Sequence, residues 1–223
     1  MRYPNITPGV FLERPNRFVA RVEIDGRTET VHVKNTGRCR ELLVPGAELW
    51  LVRSDNPARK TQYDLVCVRK SNGILFNIDS QAPNALVREW LEGQDFDKIQ
   101  PEYRYGQSRI DFYLERRNQR WLVEVKGCTL EREGIGYFPD APTERGAKHL
   151  RELAAAAAQG WQTAVIFVMQ ADGLTQIRPN AETDPAFAQA LAEAEAAGVR
   201  ILALPCHVEP DRIRISAGFH LSP

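Results

Sequence analysis

Asp111, Glu124 and Lys126 are the residues of this chain whose types and spacing point most directly to chemistry. Together they fit the pattern D…(D/E)-x-K. Two carboxylates held close together bind a hard divalent cation through oxygen and leave positions for water and a phosphate. A lysine two residues beyond the second acid, on the same strand face, orients that water or helps to deprotonate it. Phosphodiester hydrolysis needs both functions, so the expected cofactor is Mg2+ or Mn2+. The Val125 carbonyl is a further candidate ligand, and so is Glu89 on a neighbouring helix. An E-x-K triplet is common by chance, so the weight falls on the elements that must position it.

Those elements are read from Arg109–Lys126, RIDFYLERRNQRWLVEVK. Ile110, Phe112 and Leu114 alternate with polar residues, as do Trp121, Val123 and Val125, which is the period of two half-buried strands. A turn at Arg117-Asn118 opposes residues whose numbers sum to 235, and all six apolar side chains then share one face. The other face sets Asp111 opposite Glu124 and Arg109 opposite Lys126. Directly opposed Cβ atoms lie about 5 Å apart, where like charges repel. A merely solvated face would pair opposite charges, as Glu115 and Arg120 do at the turn end. The competing reading is a charged outer face that tolerates some repulsion.

Composition sets the frame. The chain has 223 residues, 43% hydrophobic and 26% charged, enough for one large or two small domains. No apolar run is long enough to cross a membrane, and MRYPNITPGVFLERP lacks an apolar signal core, so a cytoplasmic location is expected. Cys39, Cys67, Cys128 and Cys206 are scattered without C-x-x-C, which predicts reduced thiols rather than a zinc site or disulfide framework. Residues 1–80 carry 13 Lys/Arg against 9 Asp/Glu, and the remainder carries the opposite imbalance. That mild asymmetry permits nucleic-acid contact by the first part without demanding it.

Residues 10–80 read as all-β, with short runs at 18–24, 29–33, 48–52 and 65–69 and turn signals at Asp25-Gly26, Pro45-Gly46 and Asn72-Gly73. A small OB-like barrel is the leading architecture for residues 1–80. Basic residues lie among aromatics there, a composition that binds single strands by stacking and phosphate contact, although core aromatics beneath an ordinary charged surface give the same composition. Arg14, Arg17, Lys34, Asn35 and Arg38 are its candidate nucleic-acid ligands, the last three in the turn 34–38. Residues 81–223 alternate helix and strand and predict an α/β layer. A helix over 81–93 presents Leu86, Trp90 and Leu91. Thr143 caps a helix over 144–159 with a buried stripe of Ala147, Leu150, Leu153, Ala154 and Ala157. Arg145 and Lys148 crowd its first turns as candidate phosphate grips, and His149 alone reads as structural. A buried strand at 162–169, a helix capped by Asp184, a strand at 199–204 and an edge strand at 212–215 complete the order. The glycine- and proline-rich stretch up to Pro142 reads as a loop.

RIDF, EVK and the long block GYFPDAPTERGAKHLREL, with NTGR at 35–38 and Pro45-Gly46, resemble the sugar fermentation stimulation protein A (SfsA) family over nearly the whole chain. The resemblance implies an N-terminal OB-like domain joined to a PD-(D/E)XK nuclease-like domain with a central mixed sheet flanked by helices, and DNA binding. The family's acidic pair falls on Asp111 and Glu124, and its lysine on Lys126. One departure stands out: Asp111 follows Ile110 rather than proline, while the literal Pro139-Asp140 lies in a later loop and is a decoy. Nucleic acid is the expected partner, DNA before RNA, with no membrane and a homodimer left open. The alternative to a metal-dependent nuclease is a non-catalytic DNA-binding regulator of sugar metabolism genes on a nuclease-derived scaffold. An enzyme of small phosphorylated sugars is disfavoured, because no G-x-x-x-x-G-K-S/T or G-x-G-x-x-G cradle is present.

Overall fold

The structure is a computed structural model that describes residues 1–35, 37–216, 218, 220 and 221. Thr36, within the NTGR turn, lies outside the described residues. The first strands are β1 (Ile6–Asn16), β2 (Val19–Ile24), β3 (Arg27–Val33), β4 (Glu48–Arg53) and β5 (Tyr63–Arg69). They pair in the order β3-β2-β1-β4-β5, and a parallel pairing of β3 with β5 closes the ring. Alternation along β2 sends Ala20, Val22 and Ile24 inward, where Phe11, Val31, Leu49, Leu51 and Leu65 meet them. This is the expected closed barrel. It gains β1, whose Thr-Pro-Gly stretch hid a strand from the sequence reading.

Strand β6 (Leu75–Asn77) leads from the barrel to the second layer, pairing with β5 on one side. Then come α1 (Ala82–Glu92), β7 (Lys98–Tyr105), β8 (Ser108–Arg116) and β9 (Gln119–Cys128). A small hairpin, β10 (Leu130–Arg132) and β11 (Ile135–Phe138), follows, succeeded by α2 (Glu144–Ala157) and β12 (Gln162–Asp172). The chain continues through β13 (Ile177–Pro179), α3 (Pro185–Ala196), β14 (Arg200–Glu209) and β15 (Arg212–Ile215). The central sheet runs β7-β8-β9-β12-β14-β15. Its core strands β9, β12 and β14 are parallel, and antiparallel neighbours flank them. Two short segments expected as loop are strands instead: β10 and β11 pair with each other, and β13 adds a parallel third strand.

Both faces of this sheet are covered, as its parallel centre requires. α1 packs Leu86, Val87 and Leu91 against Phe112, Leu114, Trp121, Val123 and Val125. On the opposite face α2 and α3 cover Tyr113, Leu122, Val165 and Phe167. The polar face expected on the hairpin is therefore an interior face. The observed stripe of α2 also differs: Ala147, Leu150, Leu153 and Ala156 are buried, and His149 is buried with them. Among the described residues no helix is long and apolar enough to cross a membrane. All four cysteines are free and buried.

Candidate metal and nucleic-acid site

The hairpin β8–β9 turns where expected. Arg117 and Asn118 have φ of +48° and +67°, the double left-handed pair of a two-residue hairpin loop that follows the strand twist. The register holds from Arg116↔Gln119 to Phe112↔Val123. Beyond that pair it departs from expectation. Asp111 Oδ2 accepts the Val125 N–H at 2.7 Å, so a side-chain carboxylate takes the place of a backbone acceptor where the next rung would form. Ile110 accordingly leaves the face of Phe112 and packs with Tyr113 and Leu122. The six apolar residues do not share one face, because the chain rotates at Asp111 to bring its carboxylate into the seam.

Glu124 lies in the interior, 3% exposed. Its Oε1 accepts from Lys126 Nζ at 2.6 Å and pairs with His149 Nδ1 at 2.5 Å. Its Oε2 is buried and has no hydrogen-bond partner among the described residues. Asp111 is anchored by a second contact from α1, where Asn84 Nδ2 donates to Oδ1 at 3.0 Å. Burial, reinforced by the nearby Glu124 charge, holds the Asp111 carboxyl above the usual carboxylate range. Burial pushes Glu124 the same way, but the hydrogen bond from His149 and the charge of Lys126 outweigh it and leave its carboxyl below that range. One acid is thus short of positive charge, and the other has an oxygen aimed at no partner. A divalent cation between them answers both deficits, which is the fit the oxygen-donor set predicts. Among the described residues, however, no group of three or more His, Cys, Asp or Glu is placed to hold a metal. Any further ligands come from backbone, water or substrate.

Glu89 does not join the pair. It is exposed and bonds the Met1 amine at 3.0 Å. Asn84 is the α1 residue that reaches Asp111, and Glu89, five positions on, stands about 140° around the same helix. Val125 binds Asp111 through its N–H, with its side chain in the core.

Two hollows are lined by neighbours of the acids and not by the acids themselves. One, of about 480 Å³, is lined by Ser108, Arg109, Arg145, Lys148 and His149. The other, of about 420 Å³, lies between the barrel and the second layer, where Arg17, Asn35, Gly127, Thr129, Tyr137 and Thr143 face one another. Arg145 and Lys148 share the first hollow with His149, the partner of Glu124, and Arg17 and Asn35 share the second. Arg38 is exposed near Arg17 and Arg40 on the barrel. Two expected nucleic-acid ligands are turned inward instead. Arg14 spends its guanidinium on the carbonyls of Arg17, Asn35, Gly37 and Arg38 at 2.7–3.0 Å, shaping the turn. Lys34 Nζ bonds the fully buried Asp79 at 2.7 Å. Asp140, set aside as a decoy, accepts the Cys39 N–H at 3.0 Å and ties the barrel to the loop before α2. Asn84 and His149 carried no site signal in sequence: only the packing of α1 and α2 against the hairpin brings them there.

Comparison with known proteins agrees with this architecture. Residues 12–78 match the model of the SfsA N-terminal OB domain, and residues 81–212 match that of the sugar fermentation stimulation protein RE domain. A sugar fermentation stimulation protein homolog of Desulfitobacterium hafniense is 53% identical over 216 residues, spanning 96% of this chain and 94% of the relative. One from Ruminiclostridium cellulolyticum is 50% identical over 219 residues and spans 96% of each chain. Among solved structures, SfsA of Pyrococcus furiosus in complex with Ca2+ superposes with a TM-score of 0.86 at 31% identity. That match covers 96% of this chain and 95% of the other. The fold is therefore an OB barrel followed by the α/β domain of this family.

Proposed function

The chain belongs to the sugar fermentation stimulation protein family, and from that premise we propose that it binds nucleic acid and hydrolyses phosphodiester bonds with a divalent cation. The observation that carries this reading is that the Asp111 carboxylate is bonded to the Val125 N–H, next in the chain to Glu124, whose buried Oε2 has no partner among the described residues. That oxygen, Asp111 and the Val125 carbonyl are the proposed metal ligands, with Mg2+ or Mn2+ the working ion. The related Pyrococcus furiosus protein in complex with Ca2+ supports oxygen-ligand chemistry on this fold. Bound there, the cation would neutralise phosphate charge and lower the pKa of a water.

This chain's residues supply the rest. Asp111 and Glu124 fix the cation's place. Lys126, two residues along β9 from Glu124 and bonded to its Oε1, would orient the attacking water. Arg145 and Lys148 hold the phosphate backbone in the hollow that His149 lines, and the exposed Arg17 and Arg38 extend the contact onto the barrel, while Asn35 is buried with its Oδ1 on the Gly37 N–H. DNA is the favoured substrate.

A second reading, a DNA-binding regulator that cuts nothing, draws on a specific observation. The Lys126 ammonium is bonded to Glu124, and no third acidic or histidine ligand joins the pair among the described residues. One cleavage panel separates the two. Single- and double-stranded DNA and RNA are incubated with Mg2+, Mn2+ or EDTA and with wild type, Asp111→Ala and Lys126→Ala. The nuclease reading expects metal-dependent products that both variants abolish, with affinity for nucleic acid largely kept. Wild-type protein that binds but yields no product with either metal establishes the regulator instead.

A further inference from the structure

We infer that His149 is a positioning residue for the metal site: it holds Glu124 so that Oε2, rather than Oε1, is presented to the cation, and Arg145 sets the histidine tautomer that does so. The inference rests on the metal-dependent reading above and names a role for a residue outside the acidic pair and lysine.

The argument begins in α2. Thr143 Oγ1 accepts the Gly146 N–H at 3.1 Å and fixes the helix start, so His149 falls on the buried stripe of the second turn. There it is 3% exposed, with Nδ1 2.5 Å from Glu124 Oε1. A buried imidazole in that position could be mere filling. Two observations go further. First, Arg145, one turn earlier, donates from Nε to His149 Nε2 at 3.4 Å. A ring that accepts at Nε2 carries its proton on Nδ1, so the proton points at Glu124. Second, Oε1 is then saturated by His149 and Lys126, while Oε2 of the same carboxylate has no partner among the described residues. A carboxylate held through one oxygen, with its other buried and unbonded, is oriented for something the protein does not supply. Groups that orient a metal ligand in this way typically contribute 10–100-fold in affinity.

The arrangement also joins the two halves of the site. Arg145 bonds the histidine through Nε and lines the hollow it shares with Ser108, Arg109 and Lys148. A phosphate seated there would hold Arg145 in the geometry that keeps His149 donating to Glu124. The grip on substrate and the orientation of the metal ligand then share one chain of contacts.

The test uses Ca2+ alone as probe, titrated calorimetrically into the full chain without nucleic acid. His149→Asn places an amide N–H near the position of Nδ1, and His149→Phe keeps ring volume but has no donor. The expected result is an affinity within about threefold of wild type for His149→Asn and about 10–100-fold weaker for His149→Phe. A core-filling role predicts the opposite order and would overturn the inference, as would wild-type affinity in both variants. Imidazole 15N shifts give a second readout: a proton on Nδ1 and none on Nε2 is expected, and the reverse overturns it. Wild type that binds Ca2+ with the expected variant order, yet cuts nothing with Mg2+ or Mn2+, would defeat the hydrolytic reading while leaving His149's role intact. Wild type that binds no Ca2+ defeats both.

Discussion

At the scale of single residues, the two acids have opposite relations to folding. Asp111 has its carboxyl raised by burial and by Glu124, so its ionised form works against the native state. Its contribution to stability is fully present below the carboxylate range of the unfolded chain and is lost as pH rises through the higher folded value. Glu124 is held down by His149 and Lys126 against the effect of burial, so its contribution is present above the unfolded range and is lost on acidification. Neutralising each in the metal-free protein should therefore act in opposite directions. Asp111→Asn is expected to raise the melting temperature at pH 7, by about 2–4 °C for each kcal/mol of repulsion relieved, and the gain should shrink toward pH 4. Its amide oxygen still accepts from Val125, and Asn84 can turn its own amide to match. Glu124→Gln strips a buried charge from Lys126 and should cost about 3 kcal/mol. Thermal melts of both variants in EDTA across pH check the pair, and a lower melting temperature for Asp111→Asn at pH 7 would contradict this electrostatic picture. Residue types and spacing made Asp111, Glu124 and Lys126 legible in the sequence. The buried face, Asn84 and His149 were not legible, because an asparagine in one helix and a histidine in another carry no mark of the strand they will cover.

At the scale of elements, local rules carried far where the backbone alone decides and stopped where a side chain intervened. The alternation around Arg117-Asn118 was enough to give the hairpin, its turn and its register from Phe112 to Arg116. It failed at Asp111 because a carboxylate competes with a carbonyl for the Val125 N–H, which periodicity cannot express. Strand β7 carries Pro101, a residue tolerated there because β7 is an edge strand. The exit of β9 shows how tightly the elements fix the site. A Cβ on Gly127 would collide with Gln170 Oε1 and meet Pro83 Cγ at 2.7 Å. Gln170 is buried and its Nε2 donates to Asn77 Oδ1 and to the Asp79 carbonyl, so it has little room to yield. Gly127→Ala must then shift the start of α1, which carries Asn84, or the strand that carries Lys126. The expected cost is about 1–3 kcal/mol in urea unfolding, accompanied by weaker Ca2+ binding. A variant as stable as wild type would show that the close packing of α1 on β9 is softer than the geometry implies.

At the scale of the whole molecule, the joint between barrel and second layer is a buried polar network, and it claims residues that composition assigned to the surface. Tyr3, Asn77 and Lys34 surround Asp79: the Tyr3 hydroxyl donates to Oδ2 at 3.2 Å, Asn77 Nδ2 donates to that hydroxyl at 2.9 Å, and Lys34 lies 2.7 Å from Oδ2. The sequence showed a run of basic residues with aromatics among them but could not show which cations point outward. Arg14, Lys34 and Arg59, the last bonded to Asp64 at 2.6 Å, hold parts of the fold together rather than facing solvent as free charges. Lys34 and Lys148 should consequently behave differently. Lys34→Ala leaves Asp79, 0% exposed, without its cation and should cost about 3 kcal/mol of stability. The slope of log affinity for DNA against log salt should then stay as in wild type. Lys148→Ala, exposed on α2, should leave stability within about 0.5 kcal/mol. Its salt slope should fall by about one, the signature of one lost phosphate contact. Urea unfolding and salt-dependent DNA binding on the two variants measure both halves. A reduced slope for Lys34→Ala would return that lysine to the nucleic-acid surface and leave the domain joint dependent on Tyr3 and Asn77.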